Sequence, residues 1–246
     1  MNTPQQRVPA PAHLSDADIY EQLIGAVLDH RLAPGTRLTE EKLGRAFGVS
    51  RTRIRQVLVR LAAEQVVVQT HNCGATVASP TPADAREVFE ARMLIEPSLI
   101  AGFIRQAHTH ELECLIALLA EEEAANHRGD RRAAIRLSGE FHMKIAQGAG
   151  NATLEKILHE LISRTSLILM TFGQRSPGRR SKAPLRVHEH SCGCDEHQAL
   201  VEAIRARDVR EAASLMKRHL KHLLEHISFE REPVPGPDIE FMFRQG

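Results

Sequence analysis

The chain of 246 residues is poor in aromatic side chains, with no Trp, one Tyr and an aromatic content of only 4%. β-Sandwiches and barrels depend on aromatic and β-branched residues, so this scarcity disfavours an all-β architecture. The apolar fraction of 42% therefore favours helices packed on helices through Leu, Ile, Val and Ala. We predict a mainly α protein.

Other scarcities exclude classes of protein. Four Cys are too few for a disulfide framework in a chain of this length, which is typical of the reducing cytoplasm. No apolar run approaches the roughly 18 residues that cross a bilayer, and the first dozen residues lack the apolar stretch of a signal peptide. We expect a cytoplasmic protein with no membrane partner. The net charge of +1 excludes a uniformly basic surface but allows a local basic patch.

Composition changes along the chain indicate two domains. The first residues are rich in Pro and Gln, and three prolines follow residue 232. Between them, the segment Pro80-Thr81-Pro82 has the composition of a stiff linker. From residue 83 onward, apolar residues recur at helical spacing, and Asp130, Asn151 and Asp208 stand at breaks as N-caps do. We predict a disordered arm (1–13), a first domain (14–79), a linker (80–82), an all-α helical bundle (83–230) and a tail (231–246).

A basic segment in the first domain predicts DNA binding. Six positive side chains and no acidic one lie between Lys42 and Arg60. A short helix, a turn at Gly48-Val49 and a second helix capped by Ser50 are typical of a helix-turn-helix, whose second helix enters the major groove. Two β-prone runs, 66–68 and 75–78, predict a two-stranded wing. A solvated basic helix face is the alternative, but it does not explain why the turn and the wing coincide with the charge.

The residue types suit DNA contacts. Arginine reads guanine through two hydrogen bonds, and hydroxyl groups bind phosphates. The candidate DNA-contacting residues are Lys42, Ser50, Arg51, Thr52, Arg53, Arg55 and Gly74.

The segment LAPGTRLTEEKLGRAFGVSRTRIRQVLVRLAAEQVV, followed by NCGATV, resembles the winged helix-turn-helix of GntR-family transcription regulators. The resemblance implies that Arg51 and Arg55 contact bases and that Gly74 lies in the minor groove at the wing tip. Two positions depart from the family pattern. Arg53 replaces the usual Pro and adds a candidate phosphate contact, and Glu41 stands where some relatives carry a DNA-contacting arginine.

Three of the 14 His lie on apolar helix faces, namely His142, His197 and His219. Imidazoles that converge inside a bundle can hold a divalent metal and leave coordination positions open. The spacing alone favours the alternative, in which each is a core residue satisfied by a hydrogen bond.

The second half resembles the helical effector domain of the FadR-like branch of that family, called FCD. The resemblance rests on Arg92 with Glu96, on Phe141-His142, on Glu196-His197 and on the run from Ala212 to His219. It implies a metal site of these three His plus an Asp, where this chain has Ser138. Without the carboxylate we expect weaker binding of a divalent metal, with Zn²⁺ or Ni²⁺ favoured by nitrogen ligands.

Two further features remain open from the sequence. Arg92 is a candidate clamp for a carboxylate effector, although an ion pair with Glu96 at i+4 is an equal explanation. Ser138 lies one helical turn before His142, where its hydroxyl can hold an effector oxygen or a metal-bound water. His188, His190, Cys192 and Cys194 form a cluster that is a metal site, a redox pair or inert.

These patterns predict a homodimeric transcription regulator that binds an operator in double-stranded DNA and responds to a small-molecule effector, a metabolite that is a carboxylate. The alternative is a metal-dependent enzyme that uses the three-His site, with Glu96 or Glu140 as general base. A purely architectural DNA-binding protein would leave the His-lined helical half without a role.

Overall fold

The computed structural model describes residues 14–28, 31–70, 74–106, 108–172 and 192–229. The predicted arm, the predicted tail, residues 71–73 and the segment 173–191, which connects two helices of the bundle, lie outside these ranges. The described residues confirm a mainly α fold in which a small winged domain precedes a helical bundle. The winged domain consists of α1 (Asp16–Leu28), β1 (Arg37–Leu38), α2 (Glu40–Phe47), α3 (Arg51–Ala63), β2 (Val67–Thr70) and β3 (Gly74–Val77).

The helices α2 and α3 begin where the sequence places a capping side chain. Thr39 accepts a hydrogen bond from the backbone N–H of Lys42 at 3.3 Å, and Ser50 accepts one from that of Arg53 at 3.4 Å. Gly48 ends α2 in the left-handed conformation with φ of 65°. These caps fix the short turn that sets the two helices against each other.

The wing contains three strands where the sequence predicted two. The sheet order is β1-β3-β2, all antiparallel, with Leu38 opposite Ala75 and Val67 opposite Val77. β1 has only two residues, which is too short for the alternating apolar pattern that reveals a strand. The prediction of a two-stranded wing was therefore incomplete.

The helical bundle follows the predicted order. Its elements are α4 (Pro82–Gln106), α5 (Thr109–His127), α6 (Arg131–Gln147), α7 (Ala152–Phe172), α8 (Cys192–Arg205) and α9 (Val209–Glu225). Asp130, Asn151 and Asp208 each accept a hydrogen bond from the backbone N–H three residues later, as N-caps do. Pro82, predicted in the linker, is instead the first residue of α4, because Thr81 caps that helix and proline fits a first helical turn.

The two domains share a side chain in their cores. Leu167 belongs to α7 of the bundle, yet it packs with the buried apolar residues of the winged domain and is only 2% exposed. Most of the other buried apolar side chains of the bundle form a separate core around Phe89, Phe103 and Phe141. Ala125, Ala134 and Leu137 form a small cluster of their own. Among the described helices, none has a stretch long and apolar enough to cross a bilayer.

The start of β3 generates a prediction about stability. Gly74 has φ of 100°, and a Cβ added there would lie 2.1 Å from the carbonyl oxygen of Leu38. Gly74→Ala should therefore lower the free energy of unfolding by about 1–3 kcal/mol or more, measured by urea denaturation.

Gly48→Ala is the matched control, because Gly48 also has a positive φ but a Cβ there meets no atom within 4 Å. It should cost only the left-handed strain of about 1–2 kcal/mol. Equal losses in the two variants would contradict the close approach between β1 and β3.

Candidate functional site

The first candidate site is a surface on α2 and α3 of the winged domain. Ser50, Arg51, Thr52 and Arg55 are all exposed at the start of α3, and Lys42 is exposed on α2. Ile54, Val57, Leu58 and Leu61 fill the opposite, buried face of α3. Because the apolar face holds the helix against its domain, its N-terminal turns are presented to solvent as a recognition helix requires.

The exposed arginines of this surface are paired with acidic residues of α2. Arg55 donates from Nε and Nη2 to the two carboxylate oxygens of Glu40, at 2.7 and 2.8 Å. Arg51 lies 3.6 Å from Glu41 in a looser contact. The hydrogen bond from Arg55 is the main cause that lowers the pKa of Glu40. The sequence run of six cations therefore overstates the free positive charge on this surface.

Arg53 has an intramolecular role that the sequence did not reveal. Its Nε donates to Asp16 at 2.6 Å and its Nη2 to the carbonyl oxygen of Leu14 at 2.5 Å. The side chain is 32% exposed, compared with 66% for Arg51. Arg53 thus joins α3 to the start of α1, and a phosphate contact from it stays a prediction.

Gly74 is buried rather than displayed. The close approach of Leu38 already explains why this position is glycine, without any contribution from DNA. The minor-groove contact of Gly74 that the resemblance implies stays a prediction.

The second candidate site is a cluster of three imidazoles inside the bundle. His142 on α6, His197 on α8 and His219 on α9 are exposed by 2%, 0% and 1%. One ring nitrogen from each lies within 4.8 Å of the others. The structure therefore brings together all three of the His that the sequence placed on inward helix faces.

A carboxylate holds each imidazole from behind. The Nδ1 atoms of His142, His197 and His219 lie 2.5, 2.7 and 2.7 Å from carboxylate oxygens. Those oxygens belong to Glu96, Glu122 and Glu196 respectively. Such a partner fixes the orientation of a ring and directs its second nitrogen toward a metal. Glu122 was missed by sequence reasoning, because it follows Glu121 and precedes Glu123 in an acidic run that looks like a solvated face.

The inward nitrogens have the properties of ligands. If each Nδ1 donates to its carboxylate, each neutral ring presents a lone pair at Nε2, and the Nε2 atoms of His197 and His219 are only 3.3 Å apart. Nitrogens that share a tetrahedral Zn²⁺ at about 2.0–2.1 Å are separated by roughly 3.3 Å. Within the described residues, Nε2 of His142 has no hydrogen-bond partner. The chemistry of this donor set fits a divalent ion.

Burial favours the neutral form of His142 and His219, which is the form that binds a metal. It lowers the pKa of His219 to about 3, despite the hydrogen bond to Glu196, and it also lowers the pKa of His142. Burial alone would raise the pKa of Glu96, but the charge of Arg92 and the hydrogen bonds with Arg92 and His142 lower it to about 2. The carboxylate therefore stays ionised inside the bundle.

Arg92 and Glu96 form a buried ion pair on α4, as the i+4 spacing allowed. Nε of Arg92 donates to Glu96 at 2.6 Å, and Nη1 donates to Thr165 at 3.3 Å. Nη2 has no partner among the described residues. Arg92, Ser138, His142 and Thr165 line one small cavity, with about 20 Å³ open to the centres of water molecules. A cavity of this size holds about one water.

Of the Cys-His cluster, only the Cys194 thiol is described; His188 and His190 and the side chain of Cys192 lie outside the described residues. Cys194 accepts a hydrogen bond from Asn126 at 2.9 Å. Burial raises the pKa of its thiol to about 11, which opposes the thiolate that redox chemistry requires.

The two candidate general bases of the enzyme alternative are already engaged. Glu96 binds Arg92 and His142, and Glu140 accepts a hydrogen bond from Arg136 at 2.6 Å on the surface. Neither carboxylate of this pair is available to take a proton from a water beside the three imidazoles.

Comparison with known proteins assigns both halves of the chain. Residues 16–77 match the family described as bacterial regulatory proteins of the gntR family, and residues 87–222 match the FCD domain. The HTH-type transcriptional regulator YdhC of Bacillus subtilis is 26% identical over 223 residues, which is 89% of this chain and 92% of that protein. The HTH-type transcriptional repressor GlaR of Escherichia coli is 26% identical over 220 residues, which is 84% of this chain and 93% of that protein.

A solved structure has the same fold. The E. coli protein McbR/YncC superposes with a TM-score of 0.73 at 19% identity, covering 86% of this chain and 96% of that one. A transcriptional regulator from a Rhodococcus species gives a TM-score of 0.70 at 19% identity, covering 85% and 95%.

The buried ion pair generates the second prediction. Arg92→Met leaves the Glu96 carboxylate without its guanidinium partner, so the free energy of unfolding should fall by about 3–5 kcal/mol. The double variant Arg92→Met/Glu96→Gln removes both charges and should recover part of that loss. Urea denaturation at neutral pH measures both.

The control is Arg136→Met, because Arg136 and Glu140 form the same i+4 pair at the same 2.6 Å but on the surface. It should change the free energy of unfolding by about 0–1 kcal/mol. If the double variant were less stable than Arg92→Met, the uncompensated charge would not be the cause of the loss.

Proposed function

Because the chain belongs to the GntR family of bacterial transcription regulators and carries an FCD domain, we propose that it is a repressor whose operator affinity is altered by a small carboxylate bound beside the buried imidazoles. The observation that carries this proposal is the pairing of an exposed recognition surface with a closed, His-lined cavity in one chain. The similarity to GlaR of Escherichia coli, a transcriptional repressor, supports the repressor mode. As a partner of chromosomal DNA, the protein would act in the cytoplasm.

The DNA contacts are proposed for the exposed side chains of α2 and α3. Arg51 and Arg55 stand at the N-terminal turns of α3, where a recognition helix meets base edges. Ser50, Thr52 and Lys42 flank them and would bind phosphates. Arg53 and Gly74 are weaker candidates, since the first is tied to Asp16 and the second is buried.

We expect Arg51→Ala and Arg55→Ala each to weaken operator binding by about 1–3 kcal/mol and to relax base preference at one position. Arg53→Ala should change binding little, because its guanidinium is used within the domain. Fluorescence anisotropy with a duplex selected by the wild-type protein measures all three. Unchanged affinity in the Arg51 and Arg55 variants, with intact circular dichroism, would contradict the assignment of the recognition helix.

The metal is proposed to be a divalent ion held by His142, His197 and His219. Besides the geometry of the nitrogens, the charge supports it: the carboxylates of Glu96, Glu122 and Glu196 outnumber the one guanidinium, that of Arg92. The formal charge of these groups is two negative, which a divalent cation would neutralise. The nitrogen donors favour Zn²⁺ or Ni²⁺. When bound, the ion would supply a positive centre with positions open to an anion.

Glu122 provides the sharpest test of the metal. Glu122→Gln keeps the shape of the side chain but removes the charge behind His197, so metal affinity should fall by about 10–100-fold. Glu121→Gln is the matched control, because Glu121 is the exposed neighbour on the same helix and loses the same charge. His219→Ala should abolish binding.

Metal content is measured by plasma emission after the full-length protein is incubated with Zn²⁺ or Ni²⁺ and dialysed. If the wild-type protein retained no metal, or if Glu121→Gln weakened binding as much as Glu122→Gln, the three imidazoles would be core residues.

The effector is proposed to be a small carboxylate that binds between Arg92 and Ser138. Arg92 lines the cavity, and its Nη2 has no hydrogen-bond partner among the described residues, so its guanidinium can bind a carboxylate. The cavity holds no more than about one water in this structure, so an effector must open it. A binding event that requires opening can shift the protein between two arrangements, which is the thermodynamic basis of a ligand response. A thermal-shift screen of small carboxylates on the full-length protein tests this.

A route between the cavity and the winged domain is proposed through α7. Thr165 on this helix accepts a hydrogen bond from Arg92 in the cavity, and Leu167, two residues later, lies in the core of the winged domain. A displacement of α7 by the effector would therefore act directly on the domain that binds DNA.

We also propose a homodimer, because one winged helix makes few base contacts and paired half-sites match two-fold protein symmetry. The mass of the complex with DNA, measured by light scattering, decides this. The family assignment leaves the metal-dependent enzyme without support: the relatives are regulators.

A further inference from the structure

Glu40 occupies an unusual place for an acidic residue of a DNA-binding surface. It is the first residue of α2, directly after the cap Thr39, and its side chain is only 14% exposed. Its partner Arg55, on α3, is 60% exposed. The carboxylate therefore lies beneath the guanidinium, and the arginine extends from it toward solvent.

The two hydrogen bonds use one particular edge of the guanidinium. Nε and Nη2 of Arg55 donate to the two oxygens of Glu40, so the side edge of the planar group is occupied. The five N–H donors of an arginine form a rigid fork. The end edge, formed by Nη1 and the second hydrogen of Nη2, is not used by Glu40, and the side chain is 60% exposed. That end edge can donate two parallel hydrogen bonds to O6 and N7 of a guanine.

The neighbouring ion pair, Arg51 with Glu41, is longer and more exposed to solvent. Arg51 and Glu41 approach only to 3.6 Å, and their side chains are 66% and 55% exposed. Glu41 also accepts a hydrogen bond from Arg45 at 3.1 Å, so it is not dedicated to Arg51. Of the two acids, only Glu40 has the buried, two-point geometry that can fix the direction of an arginine.

We propose that Glu40 is a positioning residue that holds the guanidinium of Arg55 so that its outer edge reads a guanine in the operator. This rests on the proposed DNA-binding function and adds a determinant of base preference. A flexible arginine meets any nearby phosphate, whereas an arginine held by a carboxylate has its direction fixed before DNA arrives. Glu40 reduces the net positive charge of the surface, so it contributes selectivity rather than affinity.

The test compares Glu40→Gln with Glu41→Gln in the full-length protein. The probe is a duplex obtained from a randomised pool by selection with the wild-type protein, together with copies in which each G·C pair is replaced in turn by A·T. The ratio of dissociation constants between the selected duplex and each copy gives the base preference at every position. Arg55→Ala identifies the position that Arg55 reads, as the one where its ratio approaches one.

At that position we expect Glu40→Gln to reduce the ratio by about fivefold or more, the share of discrimination typical of one bidentate arginine. Glu41→Gln should leave the ratio unchanged. Both variants remove one negative charge and should bind all duplexes somewhat more tightly, and this shared effect cancels in the ratio. In the Arg55→Ala background, Glu40→Gln should cause no further loss of preference.

Glu40→Asp separates geometry from charge and protects the test if the glutamine variant is unstable. It keeps the charge and suits a helix N-terminus, but the shorter side chain withdraws the carboxylate from the guanidinium. It should lose the preference as Glu40→Gln does. If Glu40→Gln and Glu40→Asp kept the preference that Arg55→Ala loses, the positioning role would be wrong, while the recognition helix would stand. If Arg55→Ala itself kept every preference, the recognition assignment would be wrong as well.

Discussion

The bundle depends on the buried carboxylate of Glu96. One of its oxygens binds Arg92 one turn earlier on α4, and the other binds His142 on α6. Arg92 in turn reaches Thr165 on α7, so a single acidic group determines how three helices meet. A buried carboxylate is costly unless each of its oxygens is satisfied, which makes this arrangement intolerant of partial change. The small cavity beside Ser138 and the imidazole cluster adjoin each other, because His142 belongs to both and Glu96 binds both Arg92 and His142.

The three imidazoles share one arrangement: a carboxylate lies at the Nδ1 atom of each ring, and one nitrogen of each ring lies close to those of the other two. Ser138 stands where the resemblance implies an Asp, but the cluster still has carboxylates. Glu96, Glu122 and Glu196 contact the outer nitrogens of the three imidazoles. Glu196 also binds His222 at the rim of the cluster. If the cluster holds a divalent metal, as proposed, these three carboxylates would compensate its charge, and Ser138 lines the neighbouring cavity.

The sequence predicted the elements whose signals are local or periodic. The caps at Ser50, Asp130 and Asp208 and the inward faces that carry the three His lie where spacing placed them. It could not predict pairings that depend on how helices meet. Glu122 is hidden in an acidic run, β1 is too short to have a period, and the partner of Arg53 lies 37 residues earlier in the chain. Each of these depends on tertiary packing, which leaves no trace in spacing along one element.

The position of Leu167 affects how the winged domain can be joined to another protein domain. Leu167 completes the core of the winged domain from α7, a helix that begins only at Ala152, whereas the last strand of that domain ends at Val77. The limits of this core therefore do not coincide with the limits of the domain in the sequence. A chimaera that joined the first 80 residues to another sensory domain would have a leucine-sized cavity in the core of its winged domain. The new domain would have to supply an apolar side chain at the position of Leu167. The two domains are separate in the sequence, but they share a buried side chain and are therefore not independent in their packing.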